Sequence, residues 1–387
     1  MYRTDILIIG SGVIGLAAAN ELSAISKNIV VVEKNKSFGR ETSSRNSEVI
    51  HSGIYYPQDT LKARMCVRGR GLLYRFCIEN SVPYKKTGKL IVAADREEVG
   101  GIESLFTNAG NNGVPGLRIM DREEMRRMEP AIGGVAALYS PETGILDSHI
   151  FMQSLFAKAK DAGVDFVFDS EAAGIKKQND GYRVTIKDRS GDTDLSAKVV
   201  VNCAGLDSDL VAEMAGIDIK ANKYELHYCK GQYFRVNQKK ARFISRLVYP
   251  VPAPSAGGLG IHATLDLGGG LRLGPDHEYP ENRVKDYSVD GSKRTGFYRS
   301  IKRLLPFIEE ADIFPDTAGI RPKLKAYGSD FRDFVINEEA GSGFPGFINL
   351  IGIESPGLTA ALAIAEYVRQ MASAHLLLMD KGIGGKV

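Results

Sequence analysis

At 387 residues, the chain is too long for one ordinary hydrophobic core, and its 43% apolar residues are enough for a globular protein with two domains. The 50 basic and 47 acidic residues leave a formal net charge of +3 and form no long run of one sign, which argues against nucleic acid as a partner. No apolar run approaches the roughly 18 residues that a membrane-spanning helix needs, which argues against an integral membrane protein.

The cysteines and the N-terminal residues indicate the compartment. Cys66, Cys77, Cys203 and Cys229 form no CxxC pair and have no metal-like spacing, and their neighbours in the sequence are largely apolar. We therefore predict reduced, buried thiols, no metal site and a reducing compartment. The first residues read directly as a strand, without a signal peptide, so the expected location is cytoplasmic, with peripheral contact at the inner face of a membrane as an option.

The first residues also carry a nucleotide-binding pattern. DILIIGSGVIGLAAANEL predicts a buried strand from Asp5 to Ile9, a tight glycine turn, and a helix rich in alanine and leucine. In such a turn, Gly10 permits the sharp bend, Gly12 lets a pyrophosphate approach the backbone, and Gly15 lets helix and strand pack closely. The alternative is a glycine-rich turn that binds no ligand.

A second strand, NIVVVEK, follows the helix and brings Glu33 to its end. A carboxylate at this position can accept hydrogen bonds from a ribose, which strengthens the nucleotide-binding interpretation. NAD and FAD both contain an adenosine diphosphate half, so these residues alone leave either cofactor open.

The polar segment SSRNSEVIHSGIYY, from Ser43 to Tyr56, bears on that choice. Its serines and Asn46 offer hydroxyls, an amide and unobstructed backbone N–H groups, which would line the rest of a pyrophosphate and a ring system beyond it. His51 would then lie near the ring. The alternative is an ordinary polar loop that contains a structural histidine.

Later segments predict a discontinuous first domain. HIFMQSLFAKAKDAG predicts an amphipathic helix, VDFVFD a strand, and AKVVVNCAG an apolar strand that ends in Ala204 and Gly205 near the pyrophosphate. Between Lys220 and Lys325 the pattern changes to short strands with Gly and Pro turns, which indicates a second domain. Gly341 to Gly346 also matches G-x-G-x-x-G, but these glycines precede a strand, so we predict only a loop there.

In combination, these segments resemble the flavin-dependent oxidoreductases of the D-amino-acid-oxidase superfamily and, within it, the L-2-hydroxyglutarate dehydrogenases. The resemblance rests on GSGVIG with Glu33, SSRNSEVIHSGIYY, TGKLIVA, PETGILD, VVNCAGLDSD, GLGIHAT, AGIRPKL and DFVI, which cover nearly the whole chain in order. It implies FAD as the cofactor and an α/β fold, in which a Rossmann-like FAD-binding domain accompanies a second, mostly antiparallel sheet. The implied FAD-binding domain comprises residues 1–85, 145–218 and 326–375, and the implied substrate domain residues 86–144 and 219–325.

The resemblance also implies which residues contact FAD. They are Gly10, Ser11, Gly12, Val13, Ile14, Gly15, Glu33, Lys34, Ser43, Ser44, Arg45, Asn46, Ser47, His51, Ala172, Cys203, Ala204, Gly205, Arg321, Glu354, Ser355, Gly357, Leu358 and Thr359. The last five precede or begin a predicted helix, AALAIAEYV, whose positive N-terminus would stabilise the charge that gathers on a reduced flavin. A plain capping turn is the alternative.

The implied reaction is oxidation of an L-2-hydroxy acid, with L-2-hydroxyglutarate as the expected substrate. It needs a base for the hydroxyl proton and cations for the carboxylates. His51 is the predicted base and His262 the second candidate, whereas the alternative role of His51 is to pack against the flavin ring. Arg321 is predicted to hold one carboxylate through two parallel hydrogen bonds and Lys230 the other, while Tyr249 would donate a hydroxyl hydrogen bond or fill the core.

Other functions remain compatible with the same fold. One is an amine or amino-acid oxidase, a second is an enzyme similar to glycerol-3-phosphate dehydrogenase, and a third is a flavin-binding sensor without turnover. The third would need no base beside the flavin. The expected electron acceptor is a quinone, another carrier or oxygen.

Overall fold

The computed structural model describes residues 2–252, 260–324, 326 and 328–380. The chain divides into two compact units. The first unit comprises Met1–Ser44, Ser148–His227 and Pro322–Val387, and the second comprises Arg45–Asp147 and Tyr228–Arg321. The predicted first segment extends to residue 85, whereas residues 45–85 belong to the second unit, because their strands pair with a strand at residues 144–146. The predicted domain end at residue 325 lies outside the described residues.

The strands are defined here in chain order. They are β1 (Tyr2–Ile9), β2 (Ile29–Val32), β3 (Val49–Ile50), β4 (Tyr84–Lys85), β5 (Lys89–Ala93), β6 (Arg118–Asp121), β7 (Ala136–Ser140), β8 (Gly144–Leu146), β9 (Asp165–Val167), β10 (Glu171–Gln178), β11 (Gly181–Asp188), β12 (Gly191–Asn202), β13 (His227–Val236), β14 (Leu247–Pro250), β15 (Ala263–Leu265), β16 (Leu271–Leu273), β17 (Ile313–Lys323), β18 (Val335–Glu338) and β19 (Phe347–Ile351).

The helices follow the same convention. They are α1 (Val13–Leu22), α2 (Leu61–Glu79), α3 (Val99–Asn111), α4 (Arg122–Met128), α5 (Ser148–Asp161), α6 (Ser208–Met214), α7 (Gln238–Ala241), α8 (Arg294–Ile301) and α9 (Gly357–Asp380). Short 3₁₀ turns at Thr42–Ser44 and Gly205–Asp207 matter for the site. No helix of the described residues is long and apolar enough to span a bilayer.

The first unit contains one sheet with a parallel centre. β1 pairs in parallel with β2 on one side and with β12 on the other, β2 continues to β9, and β12 continues to β19. Strands buried on both faces read as continuous apolar runs, and Ile6, Leu7 and Ile8 in β1 are fully buried. Helices α1, α5 and α9 pack in this unit, which is the Rossmann-like arrangement that the sequence predicts.

The second unit contains a larger sheet and a small one. The larger sheet has the strand order β17-β13-β16-β15-β14-β5-β7-β6, and β3-β8-β4 form the small sheet. Most neighbours in the larger sheet run antiparallel, whereas β14 and β5 pair in parallel. The predicted fold class, with a Rossmann-like part and a mostly antiparallel second sheet, is therefore confirmed.

Most individual elements also match their predictions. The predicted helix from His149 to Gly163 is α5, and VDFVFD contains β9. The apolar strand predicted from Ala197 begins earlier, because β12 extends back to Gly191 and pairs there with β11 as a hairpin. The segment Gly341–Gly346 forms a 3₁₀ turn and a loop that lead into β19, as the sequence predicts.

Candidate functional site

The glycine turn between β1 and α1 is held by very close backbone contacts. A Cβ on Gly10, whose φ is +99°, would lie 2.5 Å from the backbone oxygen of Cys203. A Cβ on Gly15 would lie 1.9 Å from the oxygen of Gly10. Only glycine fits at either position, because neither approach leaves room for a side chain. The first and third glycines thus permit the sharp bend and the close packing of helix and strand.

The N-terminus of α1 meets the polar segment that follows β2. Gly12 is the N-cap residue of this helix, and the Val13 N–H donates a hydrogen bond to Ser43 Oγ over 3.0 Å. Helix N-termini present N–H groups and a positive dipole end, which attract phosphate. The structure therefore brings together two parts of the sequence, Gly10–Gly15 and Ser43, that were predicted separately as pyrophosphate contacts.

Glu33 lies directly after β2 and is buried. Its Oε2 accepts hydrogen bonds from Ser11 N over 2.8 Å and from Ser11 Oγ over 3.0 Å. Its Oε1 accepts from Asn35 N over 2.9 Å and from Asn35 Nδ2 over 2.7 Å. Four donors thus fix a carboxylate beside the glycine turn. Recognition of a ribose by Glu33 stays a prediction.

The end of β12 lies on the other side of the turn. The Cys203 N–H donates to the Ile9 oxygen over 2.9 Å, so Cys203 and Ala204 continue beside the end of β1. Gly205 has a φ of +57° and begins the 3₁₀ turn that follows. The Lys34 ammonium pairs with Asp207 in that turn, so it is engaged by protein carboxylate. Ala172 is buried in β10.

The loop before α9 contains the C-terminal group of predicted cofactor residues. The Gly357 N–H donates to the Glu354 oxygen over 2.5 Å, and α9 begins at Gly357. Lys323 Nζ lies 3.6 Å from a Glu354 carboxylate oxygen. Thr359 is fully buried, whereas Ser355 is exposed. The predicted helix start is confirmed, and contact of Leu358 or its neighbours with a flavin stays a prediction.

These features fit an FAD molecule. The glycine turn brings the N-terminus of α1 and Ser43 together, where a pyrophosphate would be held, and Glu33 directly follows β2, which is the position that recognises a ribose in this kind of nucleotide-binding unit. In the first unit, Gly10–Gly15, Glu33, Ser43 and Cys203–Gly205 would hold the cofactor.

The remainder of the polar segment belongs to the second unit, because the division falls between Ser44 and Arg45. The Arg45 guanidinium lies 4.1 Å from the centre of the Tyr287 ring. Asn46 Oδ1 accepts a hydrogen bond from Glu48 N over 2.8 Å, and Ser47 Oγ lies 3.0 Å from the Tyr233 hydroxyl. Their predicted contacts with FAD stay predictions.

The second unit contains a cluster of five ionisable side chains, which we call the lysine–histidine cluster. It consists of His51, Tyr55, Lys89, Tyr249 and His262. His51 follows β3 and His262 precedes β15. Lys89 begins β5, which pairs with β14, the strand that carries Tyr249. The sheet therefore places Lys89 and Tyr249 on adjoining strands, and His262 lies directly before the next strand, β15.

Ring contacts join four of these five side chains, and His51 interacts electrostatically with Lys89 and His262. The rings of Tyr249 and His262 stack with their centroids 3.9 Å apart. Lys89 Nζ lies 4.5 Å from the Tyr55 ring centre and 4.6 Å from the Tyr249 ring centre. A cation over aromatic faces is attracted by the negative charge of the π system, by about 2 kcal/mol when the contact is desolvated.

The two imidazoles of the cluster are neutral at physiological pH. Burial is the main cause that lowers the pKa of His51 to about 3, and electrostatic interactions with Lys89 and His262 act in the same direction. Burial also lowers the pKa of His262 to about 3, and the charges of Lys89 and Arg321 act in the same direction. Because His262 Nδ1 lies 2.9 Å from the Gly260 oxygen, the neutral ring donates its proton there and keeps a lone pair on Nε2. Both rings can therefore accept a proton.

Arg321 lies against the backbone of β13. Its Nη1 donates to Cys229 Sγ over 3.3 Å and its Nη2 to the Asp276 backbone oxygen over 3.2 Å. A Cβ on Gly231 would lie 2.5 Å from Arg321 Nη2, so the guanidinium fits only because this residue is glycine. Its predicted grip on a carboxylate stays a prediction.

Lys230 differs from the other predicted cations, because a carboxylate already holds its ammonium. Lys230 Nζ lies 2.5 Å from Asp286 Oδ2 and 3.5 Å from Ser288 Oγ. This partner, together with hydrogen bonds from Ser288, holds the pKa of Asp286 well below its usual range. Sequence reasoning had no signal for Asp286 as a partner, since 55 residues separate the two without a shared motif.

Lys89 was missed among the predicted site residues. It belongs to TGKLIVA, which contributed only to the resemblance, although it is a single lysine at the start of an otherwise apolar strand. It is 1% exposed, and burial lowers its pKa to about 7. A buried charge in such a strand was the available signal. Among the described residues, no group of three His, Cys, Asp or Glu side chains is arranged to hold a metal ion.

Comparisons with known proteins agree with this architecture. A family model described as FAD dependent oxidoreductase, DAO, matches residues 5–371. The mitochondrial L-2-hydroxyglutarate dehydrogenase of Arabidopsis thaliana is 39% identical over 403 residues, which cover 95% of this chain and 83% of the relative. The mitochondrial L-2-hydroxyglutarate dehydrogenase of Homo sapiens is 30% identical over 405 residues, which cover 93% of this chain and 87% of the relative.

Solved structures show the same fold. The dithionite-reduced L-alpha-glycerophosphate oxidase of Mycoplasma pneumoniae with FAD bound matches with a TM-score of 0.85 and 27% identity, covering 96% of this chain and 95% of that one. The L-proline dehydrogenase of P. horikoshii matches with a TM-score of 0.75 and 21% identity, covering 98% and 94%. At that lower identity the match shows the fold alone.

Proposed function

The chain belongs to the DAO family of FAD-dependent oxidoreductases, and from this premise we propose that it oxidises L-2-hydroxyglutarate to 2-oxoglutarate. The observation that carries this proposal is the lysine–histidine cluster, which combines neutral bases with buried positive charge. A 2-hydroxy dicarboxylate needs a base for its hydroxyl and cations for its two carboxylates. Two relatives that cover most of this chain bear the corresponding name, at 39% and 30% identity.

In the proposed reaction, the substrate loses its hydroxyl proton and the hydride on C2. FAD, when bound, supplies the two-electron acceptor for that hydride. His51 accepts the hydroxyl proton, since its imidazole is neutral before the substrate enters. Arg321 holds the carboxylate next to C2 through its planar guanidinium. His262, whose ring orientation is fixed by Gly260 and Tyr249, is the second candidate for the base.

A pKa of about 3 makes His51 a weak base in the ligand-free protein. A bound dianion changes this, because negative charge beside an imidazole favours its protonated form and raises its pKa. The same substrate that needs the base therefore strengthens it. A neutral amine substrate would give no such rise, which favours the hydroxy acid over the amine alternative.

The other candidate reactions are distinguished by the substrate. A glycerol phosphate is the alternative suggested by the solved L-alpha-glycerophosphate oxidase, which is 27% identical.

A family member also needs an electron acceptor, for which we propose a quinone or another carrier, with oxygen as the alternative. A quinone would require peripheral contact with a membrane. The expectation of a reducing, cytoplasmic setting rests on the four cysteines, which are free and buried.

The test is anaerobic reduction of the bound flavin, followed by its loss of absorbance in stopped flow. L-2-hydroxyglutarate should reduce the flavin faster than lactate, glycerol 3-phosphate, glycine or proline. In Arg321→Ala, kcat/KM for L-2-hydroxyglutarate should fall by the equivalent of about 2–5 kcal/mol, because a desolvated carboxylate loses its partner.

The exposed Arg294 lies in the same unit, and Arg294→Ala should leave kcat/KM unchanged. Faster reduction by an amine, an amino acid or glycerol 3-phosphate would refute the proposed substrate. An unaltered kcat/KM in Arg321→Ala would refute the role of that arginine.

A further inference from the structure

Lys89 is a buried amine, and its ammonium form has no balancing anion among the residues that the structure describes. The titratable groups that contact it or interact with its charge come from four segments: Tyr55 and His51 after β3, Cys66 in α2, Tyr249 in β14 and His262 before β15. No carboxylate of the described residues forms an ion pair with Lys89. The undescribed residues 253–259, between Tyr249 and His262, include no Asp or Glu.

Each of these neighbours is neutral at physiological pH. Burial raises the pKa of Cys66 to about 12 and the pKa values of Tyr55 and Tyr249 well above their usual range. Burial lowers the pKa of both histidines to about 3. Among the described residues, the Lys89 ammonium is therefore stabilised only by aromatic faces, which attract a cation but cannot neutralise it.

Leaving such a charge buried is costly. An ammonium moved from water into a protein interior loses several kcal/mol of hydration, and only a paired anion with good geometry restores most of it. The Tyr55 hydroxyl adds a second unsatisfied group, since it is buried and has no hydrogen-bond partner among the described residues. The Lys89 ammonium lies 4.5 Å from the centre of the Tyr55 ring, so this cation and the unsatisfied hydroxyl of the same ring can both donate to one bound anion.

We propose that Lys89 and the Tyr55 hydroxyl bind one carboxylate of the dicarboxylate substrate, and that this pair makes the enzyme select dicarboxylates over monocarboxylates. The proposal rests on the proposed function and replaces Lys230 in the role of second cation. Lys230 Nζ already lies 2.5 Å from Asp286 Oδ2, whereas no carboxylate in the described part of the chain pairs with Lys89. Arg321 retains the other carboxylate.

This assignment also connects substrate binding to the base. The positive charge of Lys89 lowers the pKa of both His51 and His262. A carboxylate on Lys89 offsets that charge, so the pKa of each imidazole rises when the dicarboxylate is bound. Lys89 thus acts as a binding residue for the substrate and as a positioning residue for the base, and a monocarboxylate held only by Arg321 would leave His51 weaker.

If a carboxylate binds at Lys89, the protein should take up protons on binding, and the number of protons should depend on pH. Because burial lowers the pKa of Lys89 to about 7, the side chain is mostly neutral at pH 8 and mostly charged at pH 6. A bound carboxylate stabilises the ammonium and raises its pKa. Binding at pH 8 should therefore take up close to one proton, on the order of 0.9, and binding at pH 6 only about 0.1.

The experiment uses the FAD-loaded enzyme and glutarate, which has both carboxylates but no hydroxyl to oxidise. Calorimetric titrations in two buffers of different ionisation enthalpy give the dissociation constant and the number of protons taken up. Wild-type enzyme should take up nearly one proton at pH 8. Lys89→Met should weaken glutarate binding by about 30-fold to 1,000-fold and abolish the uptake, while leaving butyrate binding within about twofold.

Three variants serve as controls. Lys86 also lies 4.6 Å from a tyrosine ring centre, that of Tyr74, but it is exposed and pairs with Glu142. Lys86→Met should match wild type. His51→Asn should retain the uptake at pH 8, which excludes His51 as its source. Lys89→Arg should bind glutarate tightly without taking up a proton, because a guanidinium is charged at either pH. This variant therefore distinguishes loss of the charge from misfolding of the protein.

Glutarate binding tests the Lys89 site, whereas flavin reduction tests the proposed function. If Lys89→Met binds glutarate as tightly as wild type, or if its uptake persists, the Lys89 site is refuted even when L-2-hydroxyglutarate reduces the flavin. If wild-type flavin is reduced faster by an amine or a glycerol phosphate, the proposed function fails. The Lys89 site is supported if Lys89→Met loses both the proton uptake and the tight binding of glutarate while Lys86→Met keeps both.

Discussion

Two buried ionisable side chains, one in each unit, differ in whether the protein itself supplies partners of opposite polarity. Glu33 in the first unit is a carboxylate with four donors from Ser11 and Asn35, so its charge is satisfied by the protein itself. Lys89 in the second unit is a cation over two aromatic rings, with no carboxylate partner among the described residues. Each is less than a tenth exposed.

The difference indicates that the first unit orients the cofactor and that the second unit binds the substrate. A satisfied carboxylate is a fixed part of the scaffold and can orient a nucleotide without reorganising. An unbalanced cation raises the free energy of the ligand-free protein, and a suitable anion recovers that energy on binding. We therefore expect substitutions near Glu33 to change cofactor retention, and substitutions in the lysine–histidine cluster to change catalysis.

The largest expected effect is on flavin reduction. His51→Asn should slow the anaerobic reduction of bound FAD by L-2-hydroxyglutarate by roughly 10²–10⁴, because general-base assistance is typically of that size. FAD content should stay at the wild-type level, measured by absorbance after release. His227→Asn, on an exposed residue, is the control. An unchanged reduction rate would instead assign His51 to packing.

The second effect concerns stability in acid. The pKa of His51 and of His262 is about 3 in the folded protein and 6.5 when unperturbed, so the unfolded chain binds more protons between these values. The contribution of the two histidines to stability should be constant above pH 6.5 and should fall as pH decreases below it, by about 2 kcal/mol for each histidine at pH 5.

Thermal unfolding midpoints at pH 7.5 and pH 5 measure this loss. The double variant His51→Asn/His262→Asn should show a smaller drop between the two pH values than wild type. An equal drop would mean that the two rings are protonated in the folded protein at pH 5.

A smaller effect is expected in the first unit. In Glu33→Gln, the new amide group faces donors from Ser11 and Asn35, which should cost about 1–3 kcal/mol in the turn that holds FAD. The measurement is the FAD dissociation constant after reconstitution, and Glu213→Gln on an exposed residue of the same unit is the control. Reduction of the flavin that remains bound should proceed at the wild-type rate. A slower reduction would contradict the division of roles between the units.

The smallest effect is expected for Lys230→Met. The Lys230 ammonium is committed to Asp286, which is about half exposed, and pairs of this kind contribute about 0–1 kcal/mol. The preference for L-2-hydroxyglutarate over lactate, measured as a ratio of kcat/KM, should change by less than about fivefold. A larger narrowing of that preference would restore Lys230 as the second carboxylate-binding cation in place of Lys89.

The sequence was sufficient for the nucleotide-binding part because its determinants are local. Gly10, Gly15 and Glu33 lie within one strand, helix and strand unit, and each residue type has a specific steric or hydrogen-bonding reason to be there. The helix α5 and the strand β9 could be predicted from apolar periodicity for the same reason.

The lysine–histidine cluster could not be derived in this way. Its members are separated by up to about two hundred residues and meet only because β5 pairs with β14 and β14 with β15. Sequence patterns do not specify such pairings between distant strands. Lys230 illustrates the same limit, because its type suggests a carboxylate ligand, while only the structure identifies Asp286 as the group that it binds.

The cysteines have a practical consequence for studying this chain. All four are free and buried, and burial raises the pKa of Cys66 and Cys77 to about 12 and that of Cys203 further. Since maleimide reagents attack the thiolate, these three thiols should react slowly in the folded protein, and Cys229 is shielded from the reagent because it is 0% exposed. A single cysteine introduced on an exposed helix position, such as Glu213→Cys, could then carry a fluorophore without any prior removal of native cysteines. Distances to the intrinsically fluorescent flavin would become measurable by energy transfer in otherwise unmodified enzyme.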